Sequence, residues 1–290
     1  MGLMRARATY LTAVVVLTAV VWPPAVGARG SANVAALQVA LRAKQLYAGS
    51  VDGVDGPGTA AAVRRLQRRA GLGADGIAGA LTRRTLGRRG RPALGSRVVG
   101  PGDRGWDVAA LQFLLAWRGF PSGAIDGGFG EHTEAALIRY QRWAGLSHDG
   151  RAGPATLRSV QLPAPRAPAT LSFPVAAPLG DRFGPRGDRF HSGIDLLAAT
   201  GAPVVAAGAG TVTFAGWDPG GYGNLVVIDH ANGVSSWYAH LSRIDVTRGA
   251  SVTTATQVGL VGATGNATGP HLHFEVRLRS AVTDPLAALR

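Results

Sequence analysis

The chain has 290 residues, 46% of them hydrophobic, no cysteine and a formal net charge of +13; that length suits about two domains with cores of their own. Without cysteine there is no disulfide framework, no thiolate zinc finger and no cysteine nucleophile. So basic a balance points to a polyanionic partner: nucleic acid, an anionic membrane surface or an acidic wall polymer.

Residues 1–28 have the three-part layout of a secretory signal peptide. Arg5 and Arg7 give a positive start, Ala8 to Trp22 carry no charge, Pro23 and Pro24 break the run, and small residues lead to Val26-Gly27-Ala28. The apolar run is short for a bilayer span, which takes about 20 residues. Cleavage after Ala28 is therefore expected, leaving a secreted or wall-bound protein without a stable membrane anchor; an uncleaved anchor is the alternative. Export disfavours nucleic acid as the polyanion.

A repeat follows, with copies at 31–90 and 101–160 related by an offset of 74. Val34-Ala35-Ala36-Leu37-Gln38 falls on Val108-Ala109-Ala110-Leu111-Gln112, Asp52-Gly53 on Asp126-Gly127, Thr59 on Thr133, and Asp75-Gly76 on Asp149-Gly150. Val34, Leu37 and Leu41, and likewise Val63, Leu66 and Ala70, predict helices with one apolar face each. Thr59 and Thr133 stand where helix N-caps are expected, and the Asp-Gly pairs mark turns. These motifs resemble the peptidoglycan-binding domain family. The resemblance implies an all-α three-helix module that binds bacterial wall polymer; the shared residues are mostly structural and name no contact residue.

Residues 161–171 hold Pro163, Pro165 and Pro168 and predict an extended, semi-rigid spacer. From 172 to 290 short β-rich segments separated by turns predict a mainly antiparallel-β domain. Five of the seven histidines lie there. His191 and Asp195, four apart, would share one face of a strand by parity, and the glycine between them and the flanking β pattern favour a strand or a loop. His271, His273 and Glu275 share a face at period two, with Leu272 and Phe274 behind. A β-scaffold that brings His, Asp and His together offers three N/O ligands and suits Zn²⁺, whose catalytic sites keep a fourth position for water.

The segments RFGPR (182–186), HSGID (191–195), WYAHLS (237–242) and GATGNATGPHLHFEV (262–276) resemble the lysostaphin-type, or β-lytic, zinc metallopeptidase family in order and spacing. The resemblance implies that His191, Asp195 and His273 hold one Zn²⁺ per chain and that His240 and His271 are the catalytic pair. No HExxH is present, so a histidine must serve as base, and either could. Glu275 either orients a ligand imidazole or forms a salt bridge with an arginine. Arg182 and Arg186 either hold a substrate carboxylate or face solvent. The glycine-rich GATGNATG reads as tight turns beside the cleft. His132, His148 and His230 read as structural or solvent-facing. Ala255 departs from the family, where a turn glycine is common.

The expected protein is a secreted zinc endopeptidase that cuts cross-links or stem peptides of peptidoglycan, carried to peptidoglycan and other anionic wall polymers by two tethered modules. The alternative is a catalytically inactive wall-binding or regulatory protein of the same fold. The charge is local: residues 29–91 have twelve basic and three acidic residues, whereas 163–290 are nearly balanced. Attraction to anionic polymer therefore belongs to the first repeat.

Overall fold

The computed structural model describes residues 30–290, so the signal-peptide reading of 1–28 falls outside the described residues. The first repeat contributes α1 (Ala32–Ala43), α2 (Pro57–Arg69), α3 (Ala80–Thr85) and a 3-10 turn at Gly87–Gly90. The second contributes α4 (Trp106–Trp117), α5 (Glu131–Trp143) and α6 (Pro154–Val160).

Four buried glutamines explain the repeated motifs. Gln38 donates from Nε2 to the Asp52 carboxylate (2.6 Å) and the Thr59 hydroxyl (3.1 Å), and its Oε1 accepts the Gly53 N–H (2.9 Å). Gln67 repeats this with Asp75, Thr82 and Gly76, Gln112 with Asp126, Thr133 and Gly127, and Gln141 with Asp149, Thr156 and Gly150. A buried amide needs partners for its donors and its acceptor. The glycine of each turn has positive φ (71°, 84°, 77° and 70° in chain order), a conformation that carries little steric cost without a side chain. Each repeat is thus itself a pair of similar halves. The N-cap expectation for Thr59 and Thr133 is corrected: Gly56 and Gly130 occupy those positions, and the threonine hydroxyls serve the glutamines instead. Gln112→Ala strands the Asp126 and Gly127 N–H groups, at about 1–3 kcal/mol for a buried group left unpaired. Denaturant unfolding of that variant should show a loss of roughly 3 kcal/mol.

The amphipathic reading of α1 also needs amending. Every residue from Ala35 to Leu41 is buried, because α4 lies along the side that periodicity leaves to solvent. Trp106, Ala110 and Phe113 of the second repeat share a core with Leu37, Leu41, Val63 and Leu66 of the first. The Trp106 indole N–H donates to Asn33 Oδ1 at 3.1 Å. The two repeats form one helical body.

The remaining chain is antiparallel β: β1 (Gly184–Arg186), β2 (Arg189–His191), β3 (Ile194–Leu196), β4 (Pro203–Val205), β5 (Gly210–Asp218), β6 (Gly223–Asp229), β7 (Val234–Leu241), β8 (Arg243–Ile244), β9 (Ser251–Val252), β10 (Gln257–Leu260), β11 (Leu272–Leu278) and β12 (Ala281–Thr283). The main sheet runs β12-β11-β7-β6-β5-β9, with β3 also paired to β11; β4-β10-β8 form a small second sheet. Ile194, Val226, Ile228, Tyr238, Leu272 and Phe274 form the core on one face. By alternation, Ala239, His273 and Glu275 point to the other.

The helical body is docked on the β domain, not held at a distance. The Val51 N–H donates to the Gly187 carbonyl (2.7 Å) and the Ile125 N–H to that of Asp188 (2.7 Å), so both repeats grip the turn between β1 and β2. The Gly187 N–H donates back to Ser50 Oγ (3.1 Å). Trp117 packs edge-on against Phe183 and Phe190, and the Trp143 indole donates to the Leu278 carbonyl (3.2 Å). The proline-rich stretch is extended, with the Pro163 carbonyl taken by Arg118 and Leu171 buried in the β-domain core.

Candidate metal centre

His191 ends β2 and Asp195 sits in β3. Of the strand and loop alternatives for this segment the chain takes the second: pairing breaks at Ser192-Gly193, and a Cβ at Gly193 would lie 2.3 Å from the Phe274 carbonyl oxygen. That close approach brings β3 against β11, with Asp195 opposite His273. His191 Nε2 and His273 Nδ1 lie 3.1 and 2.9 Å from Asp195 Oδ1 and 3.0 Å from each other. Two imidazole nitrogens and a carboxylate oxygen converge on one point.

The far side of each imidazole is anchored. His191 Nδ1 donates to the Arg182 carbonyl (2.9 Å), and His273 Nε2 to Glu275 Oε1 (3.1 Å). A proton fixed on the outer nitrogen leaves the inner lone pair for a ligand bond. The residues therefore fit a divalent, borderline-soft ion.

Glu275 is fully buried and meets both readings of it at once. It accepts from His273, from the Tyr222 hydroxyl (2.8 Å) and from Arg277 Nε (2.7 Å). The Arg277 guanidinium lies over the Trp237 ring, 3.5 Å from its centroid. Arg186 is exposed, as its solvent-facing reading has it, and its Nη2 also bonds Asp195 Oδ2 and Asp181 Oδ2, each at 2.7 Å, so it braces the carboxylate from outside. Tyr222 and the Arg186–Asp195 contact escape sequence reasoning, since neither sits in a periodic pattern with its partner.

His240 and His271 stand beside this point with ring centroids 4.8 Å apart. His240 Nδ1 donates to the Thr264 carbonyl (2.8 Å) and His271 Nδ1 to that of Gly269 (2.9 Å), leaving both Nε2 atoms as acceptors. His240 has φ 61°, an uncommon conformation for a residue with a side chain. The loop holding Thr264 is packed against the Tyr222 turn, where a Cβ on Gly265 would lie 2.4 Å from the Gly221 carbonyl oxygen. The five site residues, with Arg186, Tyr222, Asn266 and Glu275, line a cleft of about 590 Å³. His230 bonds the Ala209 carbonyl and Ser236 Oγ, and His132 and His148 are exposed, each apart from the cleft. Ala255 takes φ 73°, the conformation that glycine favours.

Burial would raise the Asp195 carboxyl, but hydrogen bonds from His191 and His273 hold it well below the usual carboxylate range. Burial likewise pushes Glu275 up, and Arg277 foremost, then His273, bring it down to about 2. His240 is lowered by burial, with the Thr264 carbonyl opposing. Burial lowers His273 too, yet its bonds to Asp195 and Glu275 raise it to about 9. The sign for stability follows from the ordinary value of 6.5. The stabilising proton is held below pH 6.5 and lost as pH rises through about 9. Metal-stripped protein should lose about 2–3 kcal/mol across that window. Metal affinity should rise over the same window, because the ligand nitrogen must shed its proton. Thermal melts with and without Zn²⁺ between pH 6 and 9 check both trends.

Residues 189–285 match the family described as peptidase family M23, and residues 30–86 and 104–160 each match the putative peptidoglycan binding domain. The chain is 44% identical over 115 residues to the DD-carboxypeptidase/endopeptidase Mpg of Neisseria meningitidis serogroup B, covering 39% of this chain and 26% of that protein. It is 40% identical over 98 residues to the peptidoglycan DD-endopeptidase ShyA of Vibrio cholerae, covering 34% and 23%. The chain thus spans about a quarter of the length of these curated relatives. Among solved structures, the catalytic domain of lysostaphin from Staphylococcus simulans is 33% identical, with 38% of this chain and 90% of that one covered at a TM-score of 0.37. Residues 189–285, within the antiparallel-β part of the chain, thus form a peptidase family M23 domain, and two putative peptidoglycan binding domains stand ahead of it.

Proposed function

We propose that this chain is an exported zinc-dependent endopeptidase that hydrolyses peptide bonds of bacterial peptidoglycan, with residues 1–28 removed on export and the helical body contacting the wall. The carrying observation is the convergence of His191 Nε2, Asp195 Oδ1 and His273 Nδ1 beside two further imidazoles held at Nδ1 by backbone carbonyls, with His271 Nε2 3.7 Å from Asp195 Oδ1. His191, Asp195 and His273 would hold one Zn²⁺. Bound there, the ion supplies Lewis acidity and lowers the pKa of water toward about 7.

His240 and His271 face the same space and divide two proton tasks. One accepts the proton of the attacking water on Nε2; the other, when it carries a proton on both ring nitrogens, donates from Nε2 to the developing oxyanion and gives that proton to the leaving amine. Their Nδ1 protons are fixed on backbone carbonyls, so each ring presents Nε2 without reorientation. Asp195, held ionised and braced by Arg186, keeps its second oxygen out of the reacting space. Tyr222 and Glu275 close the cleft behind His273.

Purified peptidoglycan digested with the full chain should release peptide-bearing fragments that mass spectrometry assigns to one kind of bond, and chelation should stop release until Zn²⁺ is restored. A protein that binds one Zn²⁺ yet releases nothing would instead be the inactive wall-binding form of this fold.

A further inference from the structure

The two repeats meet along α1 and α4, and their seam is not filled. Ala36, Val39 and Ala40 on α1 and Ala109 on α4 are small, and a cleft of about 370 Å³ opens above them. One rim is the 3-10 turn Gly87–Gly90 of the first repeat, which offers Arg88 and Arg89. The other rim belongs to the second repeat: the segment around Arg104 and the Asp126-Gly127 turn. Neither repeat has both rims, so the cleft exists only in the pair.

Its acids are already engaged. Asp103 receives Arg97 (2.7 Å) and the Gly100 N–H (2.8 Å), and the buried Asp107 receives the same arginine (2.7 Å). Asp126 is held by Gln112 and by the Gly128 N–H. Arg97 is therefore neutralised within the wall. Among the described residues, Arg88, Arg89 and Arg104 have no ion-pair partner and no side-chain hydrogen bond. Asp126 keeps its charge without a cation partner, but the lining also carries Arg88, Arg89, Arg97 and Arg104 against Asp103 and Asp126, so the seam is positive on balance, with arginines on both rims. Between them the floor is close-packed, with Ala36, Ala40 and Ala109 each only 1% exposed, and Gly105 and Gly127 keep side chains out of the opening.

We propose that this seam is a binding site for an anionic unit of wall polymer, its charged oxygen group held between Arg88, Arg89 and Arg104. Guanidinium donors are suited to planar bidentate pairing with carboxylate or phosphate oxygens. The volume takes one unit of polymer, not a folded partner. The site deepens the wall-contact reading above and rests on it: it says where the polymer is held and why charge matters. Two wall chemistries share the anionic oxygen, the carboxylates of peptide-bearing glycan and the phosphodiesters of polyol phosphate polymers.

The test uses the full chain and soluble probes: a disaccharide-peptide, a glycerol phosphate oligomer and an uncharged N-acetylglucosamine oligomer, each titrated by calorimetry. Replacing Arg88 and Arg89 together with Ala, or Arg104 alone, should weaken binding of an anionic probe about tenfold or more, or about 1.4 kcal/mol. The pair Arg68→Ala/Arg69→Ala on α2 removes as much charge outside the seam and should change binding less than about twofold. Whichever anionic probe binds more tightly names the source. Equal losses from both arginine pairs would show diffuse attraction and overturn the site, as would equal affinity for the uncharged oligomer. Digestion of peptidoglycan by the same preparations separates the failures: a protein that cleaves normally but binds neither anionic probe keeps the catalytic reading and loses the seam.

Discussion

Replacing His240 or His271 with Ala should lower peptide-bond hydrolysis by about 10²–10⁴-fold, the usual range for losing a positioned acid or base, while the protein still binds one Zn²⁺. Neither imidazole completes the His191–Asp195–His273 set, and each has its Nδ1 tied to a backbone carbonyl outside it. Metal content and activity should therefore separate. Parallel loss of both from a folded His240→Ala protein would make that residue a ligand. The double variant should be little slower than the worse single one, because groups acting in one proton relay are not additive. If instead the two effects multiply, the histidines act in independent steps.

Glu275→Ala should release Zn²⁺ about 10–100-fold more readily, the scale seen when a ligand's outer partner is removed. It should also lower stability by about 3–5 kcal/mol, as expected when one member of a buried ion pair is deleted. Arg277, the Tyr222 hydroxyl and the His273 Nε2 proton all lose their acceptor in the interior. Glu275→Gln keeps an acceptor oxygen for His273 but removes the charge opposite Arg277, so it should recover much of the metal affinity and little of the stability. Chelator competition and thermal unfolding read the two effects apart. Wild-type zinc release from a folded Glu275→Ala protein would reduce Glu275 to a salt-bridge partner of Arg277.

What was legible in the sequence was what local periodicity carries. His271, His273 and Glu275 are two apart on one strand, so their common face needs only the pleat of β11. The duplicated Gln, Asp-Gly and Thr positions are visible by offset, but their purpose is not. No pattern rule couples Gln38 to Asp52, Gly53 and Thr59, and only the folded turn shows that one amide satisfies three backbone and side-chain groups. Strand parity alone does not bring His191 and Asp195 together, since the glycine between them breaks the strand and lets β3 reach β11. Tyr222 on Glu275 and α4 on α1 are joined by tertiary packing across long stretches of chain, and Arg186 reaches Asp195 only because the β1–β2 hairpin folds back. Helix and strand periods say nothing of such pairs.

The grip of both repeats on Gly187 and Asp188 has a consequence for product size. A catalytic unit on a loose tether samples every bond within reach of its anchor, and its cuts fall at scattered distances. Here the turn that the repeats hold leads directly into the strand ending at His191, and Trp117 braces the same hairpin through Phe190. Polymer held by the helical body then meets the cleft at one offset and in one orientation. Fragments released from long strands should cluster at a characteristic length, and loosening the hairpin contact with Trp117→Ala should broaden that distribution before it slows the chemistry.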